Sequence, residues 1–343
     1  MLKDEILKSP TQSQLQHHRE LTSLQRALEK QKALVRHLQS DLEAAEKRSE
    51  LLAEVGRLPR IEEWEADKRK TRKGEATAIV ALSDWHVGEV IKPETVDGKN
   101  EFNPEVASRR IERVFSKIPE YVERYVPMAS EIVLWLGGDF ITGYIHEELE
   151  ESNSMSPSEE CLFFIDHLST GLAHILKNSR QSIRVVTSWG NHGRTTKKKR
   201  CSTAAKNSFE WMTYRVLEKQ WSNVRRVQWQ IGEGYHSWIE LHGRNVRLHH
   251  GDSINYWGGV GGITIPVNKA VSQWNKQRWS SLDVFGHFHQ LIDGGNWICN
   301  GSLIGYGPFS LQIKAGYEEP MQAFLVVDKN KWFRQMTRIY CDA

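Results

Sequence analysis

The chain has 343 residues, 39% of them hydrophobic, and a formal net charge of +3. That is enough apolar material for one large globular domain plus an accessory element, and no run of about 18 apolar residues exists to form a membrane-spanning helix. The near-neutral balance neither demands nor forbids a polyanionic partner, so local charge clusters have to decide that question.

The first stretch, Met1 to Gln16, is polar and carries no apolar signal segment, which makes a cytoplasmic location the expectation. Leu21, Leu24, Leu28, Val35, Leu38, Leu42, Ala45 and Leu52 then recur at alternating three- and four-residue steps, interrupted by Gln31 and Ser49. This spacing lays an apolar seam along one side of a helix, and a seam needs a partner helix to bury it. Self-association into a homo-oligomer is the expectation; a helix folding back on its own chain is the alternative. Gly56 and Pro59 close the helix. The organisation read from these signals is an N-terminal coiled-coil segment at 1–58, a charged linker at 59–75 and a large domain at 76–343.

That domain opens on a continuous apolar run, Ala76 to Leu82, as expected of a strand covered on both faces. A helix follows near Pro104 to Tyr125, a strand at Glu131 to Leu136, an acidic loop from His146 to Glu160 and a helix near Cys161 to Asn178. A strand at Ser182 to Ser188 and a helix near Ser208 to Gln220 continue the alternation. The remainder is richer in strands: Val227 to Gln230, Ser237 to Leu241, Val246 to His249, Leu282 to Phe285, Asn296 to Asn300 and Gln322 to Val327. Alternating strands and helices followed by strands predict a layered α/β sandwich. Cys161, Cys201, Cys299 and Cys341 are scattered without CxxC spacing, so they read as idle thiols rather than a disulfide framework or zinc knuckle.

Five predicted strands run into polar residues of one chemical kind. They are Asp84-Trp85-His86, Gly137-Gly138-Asp139, Gly190-Asn191-His192, His249-His250-Gly251-Asp252 and Gly286-His287-Phe288-His289. The crevice beyond the carboxyl ends of sheet strands is where open α/β folds place ligands. Asp and His one residue apart can turn towards one ion, an Asp after two glycines can bridge two cations, and Asn offers a neutral carbonyl oxygen. This mixed oxygen and nitrogen set suits Mn²⁺, Fe or Zn²⁺ better than Mg²⁺.

The same motifs, in the same order between about Ile79 and Val327, resemble the signature of calcineurin-like metallophosphoesterases. The general pattern is also similar to phosphoesterases of phages and prophages, and distantly to SbcD-type nucleases. The resemblance implies a four-layer α-β-β-α sandwich and two divalent metal ions, Mn²⁺ foremost, with Fe, Zn²⁺ or Mg²⁺ as alternatives. It implies that Asp84, His86, Asp139 and His289 hold one ion and Asp139, Asn191, His250 and His287 the other. Asp139 is then the bridge, and a hydroxide held between two ions about 3.5–4 Å apart attacks the phosphate. His192 acts near the leaving oxygen rather than on a metal. Asn300-Gly301-Ser302 resembles the loop that follows the last histidine pair. One departure stands out: the family's usual acid after Asn-His is replaced by Gly193, leaving Asp252, Asp166 or His249 as possible stand-ins to orient His192. His250 rather than His249 is taken as ligand because it directly precedes the glycine.

Beyond the metals, Gly193 to Arg200 carries a basic run attached to the Asn191-His192 motif, which makes Arg194, Lys197 and Lys198 candidate substrate contacts to a polyanion. A solvated loop is the alternative. Most of the 13 tryptophans are expected to fill the core, with Trp85, set between two ligands, the best exception for stacking on a base. His146 is a further catalytic candidate because some nucleases of the superfamily carry a histidine after the bridging aspartate. The glycine stretch from Trp257 to Gly262 matches no phosphate-cradling loop and reads as a plain connection. The expectation is a metal-dependent phosphodiesterase, a nuclease acting on DNA. The alternatives are a phosphomonoesterase on a small molecule or phosphoprotein, and a catalytically weak nucleic-acid-binding scaffold.

Overall fold

The computed structural model describes residues 21, 23–26, 28–39, 42, 43, 46, 76–256, 258–330 and 332–342. The chain divides into two units, Met1–Leu58 and Pro59–Ala343. In the first, every described position between 21 and 46 is helical (α1), and Leu24, Leu28, Val35 and Leu38 on it are exposed. The rest of the expected seam, at Ala45, Ser49 and Leu52, lies outside the described residues, as do the Gly56 and Pro59 stop signals and the 59–75 linker.

The second unit is a mixed α/β fold built on two mixed sheets. The larger sheet contains β1 (Ala76–Leu82), β2 (Glu131–Leu136), β3 (Ser182–Thr187) and β4 (Val227–Ile231), with β10 (Met321–Asp328) and β11 (Trp332–Tyr340) completing one side. Its order is β11-β10-β1-β2-β3-β4; the first four strands in sequence are parallel, and β10 runs antiparallel to β1. The smaller sheet contains β5 (Ser237–Leu241), β6 (Arg244–Leu248), β7 (Leu282–Phe285), β8 (Ile292–Asp293) and β9 (Trp297–Cys299), in the order β5-β6-β7-β9-β8. Here β6, β7 and β9 are parallel.

Strand β1 is buried from Thr77 to Leu82, which its unbroken apolar run requires of a strand with cover on both faces. Side-chain alternation sends Ile79, Ala81, Val133 and Trp135 into one cluster with Val246, Leu248, Val284 and Ile298, so a single core draws on both sheets. Helices α2 (Pro104–Tyr125), α4 (Pro157–Asn178) and α5 (Phe209–Gln220) pack beside the larger sheet. On the smaller sheet, α6 (Thr264–Asn275) buries Val267 and Val271 against Phe285, Phe288 and Trp297. Two short helices, α3 (Glu147–Ser152) and α7 (Pro308–Gln312), sit in the connections.

The departures from the sequence expectations have local causes. The acidic loop contains α3, and α4 starts at Pro157 rather than near Cys161, because Ser156 and Glu159 close a capping box with proline at the first helical position. Strand β11 was not expected: only Trp332 and Ile339 on it are buried, so its sequence lacks a clean apolar alternation. Helix α6 follows the glycine stretch directly and buries just two valines, too few to mark an apolar face in advance.

Candidate metal centre

The side chains singled out as ligands all stand two to four residues beyond the carboxyl ends of β1, β2, β3, β6 and β7. Leaving a strand and turning a side chain back across its tip demands an unusual backbone. Asp84, His86, Asp139, His287 and His289 have φ between 48° and 72°, the left-handed region. Each such residue costs on the order of 1 kcal/mol, so the arrangement persists only where neighbours over-determine it. They do: the amides of Asp84 and Trp85 donate to the carbonyls of Gly138 and Asp139 at 3.0 and 2.9 Å, and the Leu303 amide donates to the carbonyl of Asp84 at 3.1 Å. The β2 and β3 loops touch backbone to backbone, since a Cβ on Gly138 would lie 2.2 Å from the amide nitrogen of Gly190.

This backbone gathers three overlapping sets of ligand atoms, each mutually within 4.8 Å: Asp84, His86 and His289; His86, Asp139 and His192; Asp139, His250 and His287. Asn191 joins the third through its Oδ1, 3.1 Å from Nε2 of His250. The Asp84 carboxylate is clamped from two sides. Its Oδ2 accepts the Ser83 hydroxyl at 2.5 Å, the His287 amide donates to both its oxygens at 3.0 and 3.1 Å, and Asn300 holds Ser83 in turn through a 2.9 Å bond. The Asn300 loop therefore acts on the site through Ser83.

The donors fit divalent cations on the state of their own atoms. Both ring nitrogens of buried His86 lack a hydrogen-bond partner, so its lone pair, set among the ligand atoms of Asp84, Asp139 and His289, has nothing to receive it. Burial, and after it the repulsion of neighbouring imidazoles, lowers His287 to about 4 and His289 to about 3, which keeps both rings neutral and able to coordinate. His250 behaves oppositely. Burial pulls it down, but the Asp139 carboxylate outweighs burial and raises it to about 10. Its Nδ1 donates to the Gly137 carbonyl at 2.8 Å, so Nε2 is left facing Oδ2 of Asp139 at 2.8 Å and Oδ1 of Asn191. A nitrogen held between two oxygen acceptors is a place for positive charge. Asp84 completes the picture: burial lifts it to about 7, with His250 opposing and Asp139 adding to the rise. Asp139 goes the other way: burial opposes its charge, but His250 and then His192 outweigh burial and hold it well below the usual carboxylate range, so Asp84 is the carboxylate that a cation would ionise.

His192 is fastened at both ends. Its amide donates to Oδ1 of Asp139 at 2.8 Å, and Nδ1 donates to the carbonyl of Thr142 at 2.9 Å, which leaves Nε2 facing the site. Its ring stands 4.6 Å from that of His86 and 6.3 Å from that of His146, the residue that caps α3. None of the expected stand-ins for an acid at 193 reaches it by a hydrogen bond. Asp252 is paired with Lys199, Asp166 is exposed on α4, and His249 stacks on Phe285 at 5.2 Å.

Two buried glutamates escaped the sequence reading. Glu160 of α4 accepts the amides of Gly88 and Thr142 on Oε1, at 3.0 and 2.6 Å, and that of Gly143 on Oε2 at 3.0 Å. Glu210 of α5 accepts the amides of Phe140 and Gly190, each at 2.7 Å. Burial lifts Glu160 to about 7; burial and then the Asp139 charge lift Glu210 to about 8. Glu160 follows the capping-box acid by one position, but nothing local distinguishes either glutamate from a solvated one.

The basic loop divides. Lys197 and Lys198 are exposed, whereas Arg194 donates Nε to the Thr196 carbonyl and Nη1 to the Asn191 carbonyl, at 3.2 and 2.9 Å. Arg194 thus shapes the loop and lines a pocket with Trp189, Asn191, Lys199 and Arg200. Trp85 corrects an expectation: it is fully buried, edge-on to Phe140 at 4.8 Å and Phe164 at 5.6 Å, and presents no face for stacking on a base.

No family model and no curated protein matches the chain. Solved structures do. One is Vps29 of Entamoeba histolytica complexed with Zn²⁺, at 12% identity and a TM-score of 0.32, covering 77% of this chain and 99% of that one. Another is a conserved uncharacterised protein of Streptococcus pneumoniae described as a predicted phosphoesterase, at 13% and 0.29, covering 77% and 98%. A hypothetical protein of Pyrococcus horikoshii follows at 11% and 0.35, covering 78% and 89%.

Proposed function

We propose that the chain is a dinuclear-metal-dependent phosphodiesterase, a nuclease acting on DNA, with the core order α-β-β-α. One observation carries the reading: Asp139 belongs to two of the three overlapping ligand sets and His86 to two, which supports adjoining positions rather than one. Asp84, His86, Asp139 and His289 would hold one ion, and Asp139, Asn191, His250 and His287 the other, with Mn²⁺ first among the metals the donor set suits. When bound, such a pair neutralises phosphate oxygens and makes water nucleophilic at neutral pH.

The chain's own residues supply the rest. His192, with Nδ1 committed to Thr142, exchanges protons with substrate only at Nε2, where it serves the departing oxygen. Asp139 carries the His192 amide on one oxygen and faces His250 with the other, so the proton-handling ring and the ligand set move as one piece. Exposed Lys197 and Lys198, on the loop that Arg194 shapes beside Asn191, supply cations for a phosphate backbone.

Two further parts belong to the proposal. The exposed stripe on α1, from Leu21 through Leu24, Leu28, Val35 and Leu38 to Leu42, supports self-association through that helix. Unpaired cysteines, Cys201 among them exposed, suit a cytoplasmic location. Among the described residues, no helix is long and apolar enough to cross a membrane.

The test is turnover, with Mn²⁺ present, of a chromogenic phosphodiester, a chromogenic phosphomonoester and defined single- and double-stranded oligonucleotides. Preference for the diester and cleavage of DNA supports the reading. Preference for the monoester removes the nuclease; tight DNA binding without turnover under any metal leaves a scaffold.

A further inference from the structure

Helix α5 begins against the ligand loops. Ser208 caps it by accepting the Trp211 amide, Phe209 donates its amide to the Gly193 carbonyl at 2.8 Å, and Thr195 donates to the Asn207 carbonyl at 2.8 Å. The second residue of the helix, Glu210, is 1% exposed. Its two carboxylate oxygens divide their bonds between two loops. Oε1 takes the amide of Phe140, the residue directly after Asp139, and Oε2 takes the amide of Gly190, the residue directly before Asn191. Both amides are interior groups with a strong donor to satisfy, and an acceptor at a helix N-terminus is favoured by the helix itself.

Room for this side chain depends on Gly193. A Cβ there would stand 2.8 Å from Cγ of Glu210 and 3.1 Å from its carboxyl carbon, so any side chain at 193 competes for the same space. Gly193 does not have a left-handed backbone, so a side chain is excluded by Glu210 and not by φ.

We infer that Glu210 is a positioning residue of the metal centre, a carboxylate that spans the β2 and β3 loops and holds Asp139 and Asn191 in register, and that Gly193 lacks a side chain to admit it. This rests on reading the site as a metal centre. The geometry makes position 193 and position 210 alternative sources of one carboxylate, and that interchange is testable. Removing Glu210 leaves two buried amides without an acceptor; adding an acid at 193 alone creates a clash; doing both returns an acid to the vacated space.

The experiment loads the full chain with Co²⁺ and reads affinity by calorimetry and ligand geometry by the visible absorption spectrum. The proteins are wild type, Glu210→Ala, Gly193→Glu and the double variant. Expected are a weakening of Co²⁺ binding of about 10- to 100-fold with an altered spectrum in each single variant, and recovery of most of both in the double. Glu210→Gln, nearly isosteric and able to accept only one of the two amides, gives an intermediate loss and serves if Glu210→Ala does not fold. Wild-type affinity and spectrum in Glu210→Ala or Glu210→Gln would overturn the role, as would a folded double variant no better than the worse single. Wild-type protein that binds no divalent ion sinks the metal-centre reading itself, a result distinct from either.

Discussion

Nε2 of His250 lies 2.8 Å from Oδ2 of Asp139 while Nδ1 of the same ring is committed to the carbonyl of Gly137. In metal-free protein this pair keeps a proton that the unfolded chain releases near the ordinary histidine value. The folded-state value, about 10, lies above the unfolded one of 6.5. The stabilisation is therefore complete below about pH 6.5 and is lost as pH rises through about 10. Urea denaturation in chelator across that window should show stability falling with pH, and Asp139→Asn should flatten the slope. A divalent ion must displace the same proton, so metal affinity should climb over the same range.

Asp139→Asn removes the one carboxylate shared between the ligand sets. Turnover should fall on the order of a thousandfold or more, with bound metal reduced towards zero by elemental analysis. Near-normal metal content and rate would leave the shared-ligand arrangement without support.

His192→Ala deletes a ring tied to Thr142 and aimed at the site. Expected is a loss of about 10²- to 10⁴-fold in turnover, steepest for esters with poor leaving groups, with metal content preserved. Stripped metal would instead make His192 a ligand, consistent with its place beside His86 and Asp139.

Lys197→Glu with Lys198→Glu reverses two exposed charges on the loop after His192. Oligonucleotide cleavage should weaken and lose much of its salt dependence, while a small chromogenic diester is turned over as before. Equal effects on both substrates would argue that the loop is solvated and irrelevant to the polyanion.

Deleting residues 1–56 should lower the mass measured by light scattering to that of a monomer and spare activity on small esters. The apolar stripe on α1 is the reason: Leu24, Leu38 and Leu42 are each more than half exposed. An unchanged mass ends the proposal of self-association through this helix.

Much of the larger sheet was readable in advance. Strands β1, β2 and β3 declare themselves as apolar runs because parallel strands are buried on both faces, and their ends are marked by the change to Gly, Asp, Asn and His. The candidate ligands were readable for the same reason, since polar groups after a buried strand have few other places to be. Strand β11 and helix α6 were not, because edge position and a thin apolar face leave little periodicity to detect. Trp85 departs from the expectation because its neighbours Asp84 and His86 join the candidate ligand cluster while its own ring turns into the core against Phe140.

Sequence alone determined which side chains are chemically capable of holding cations and the order in which strands deliver them. Local residue pattern carries that much, since burial and chain direction dictate where polar groups emerge. Tertiary structure alone decided that five candidate ligands stand in left-handed backbone and that Glu160 and Glu210 serve the candidate ligand loops from helices 17 to 72 residues away in sequence. A glutamate becomes a buried acceptor only when packing removes water from it and presents amides to it. No local spacing encodes that meeting.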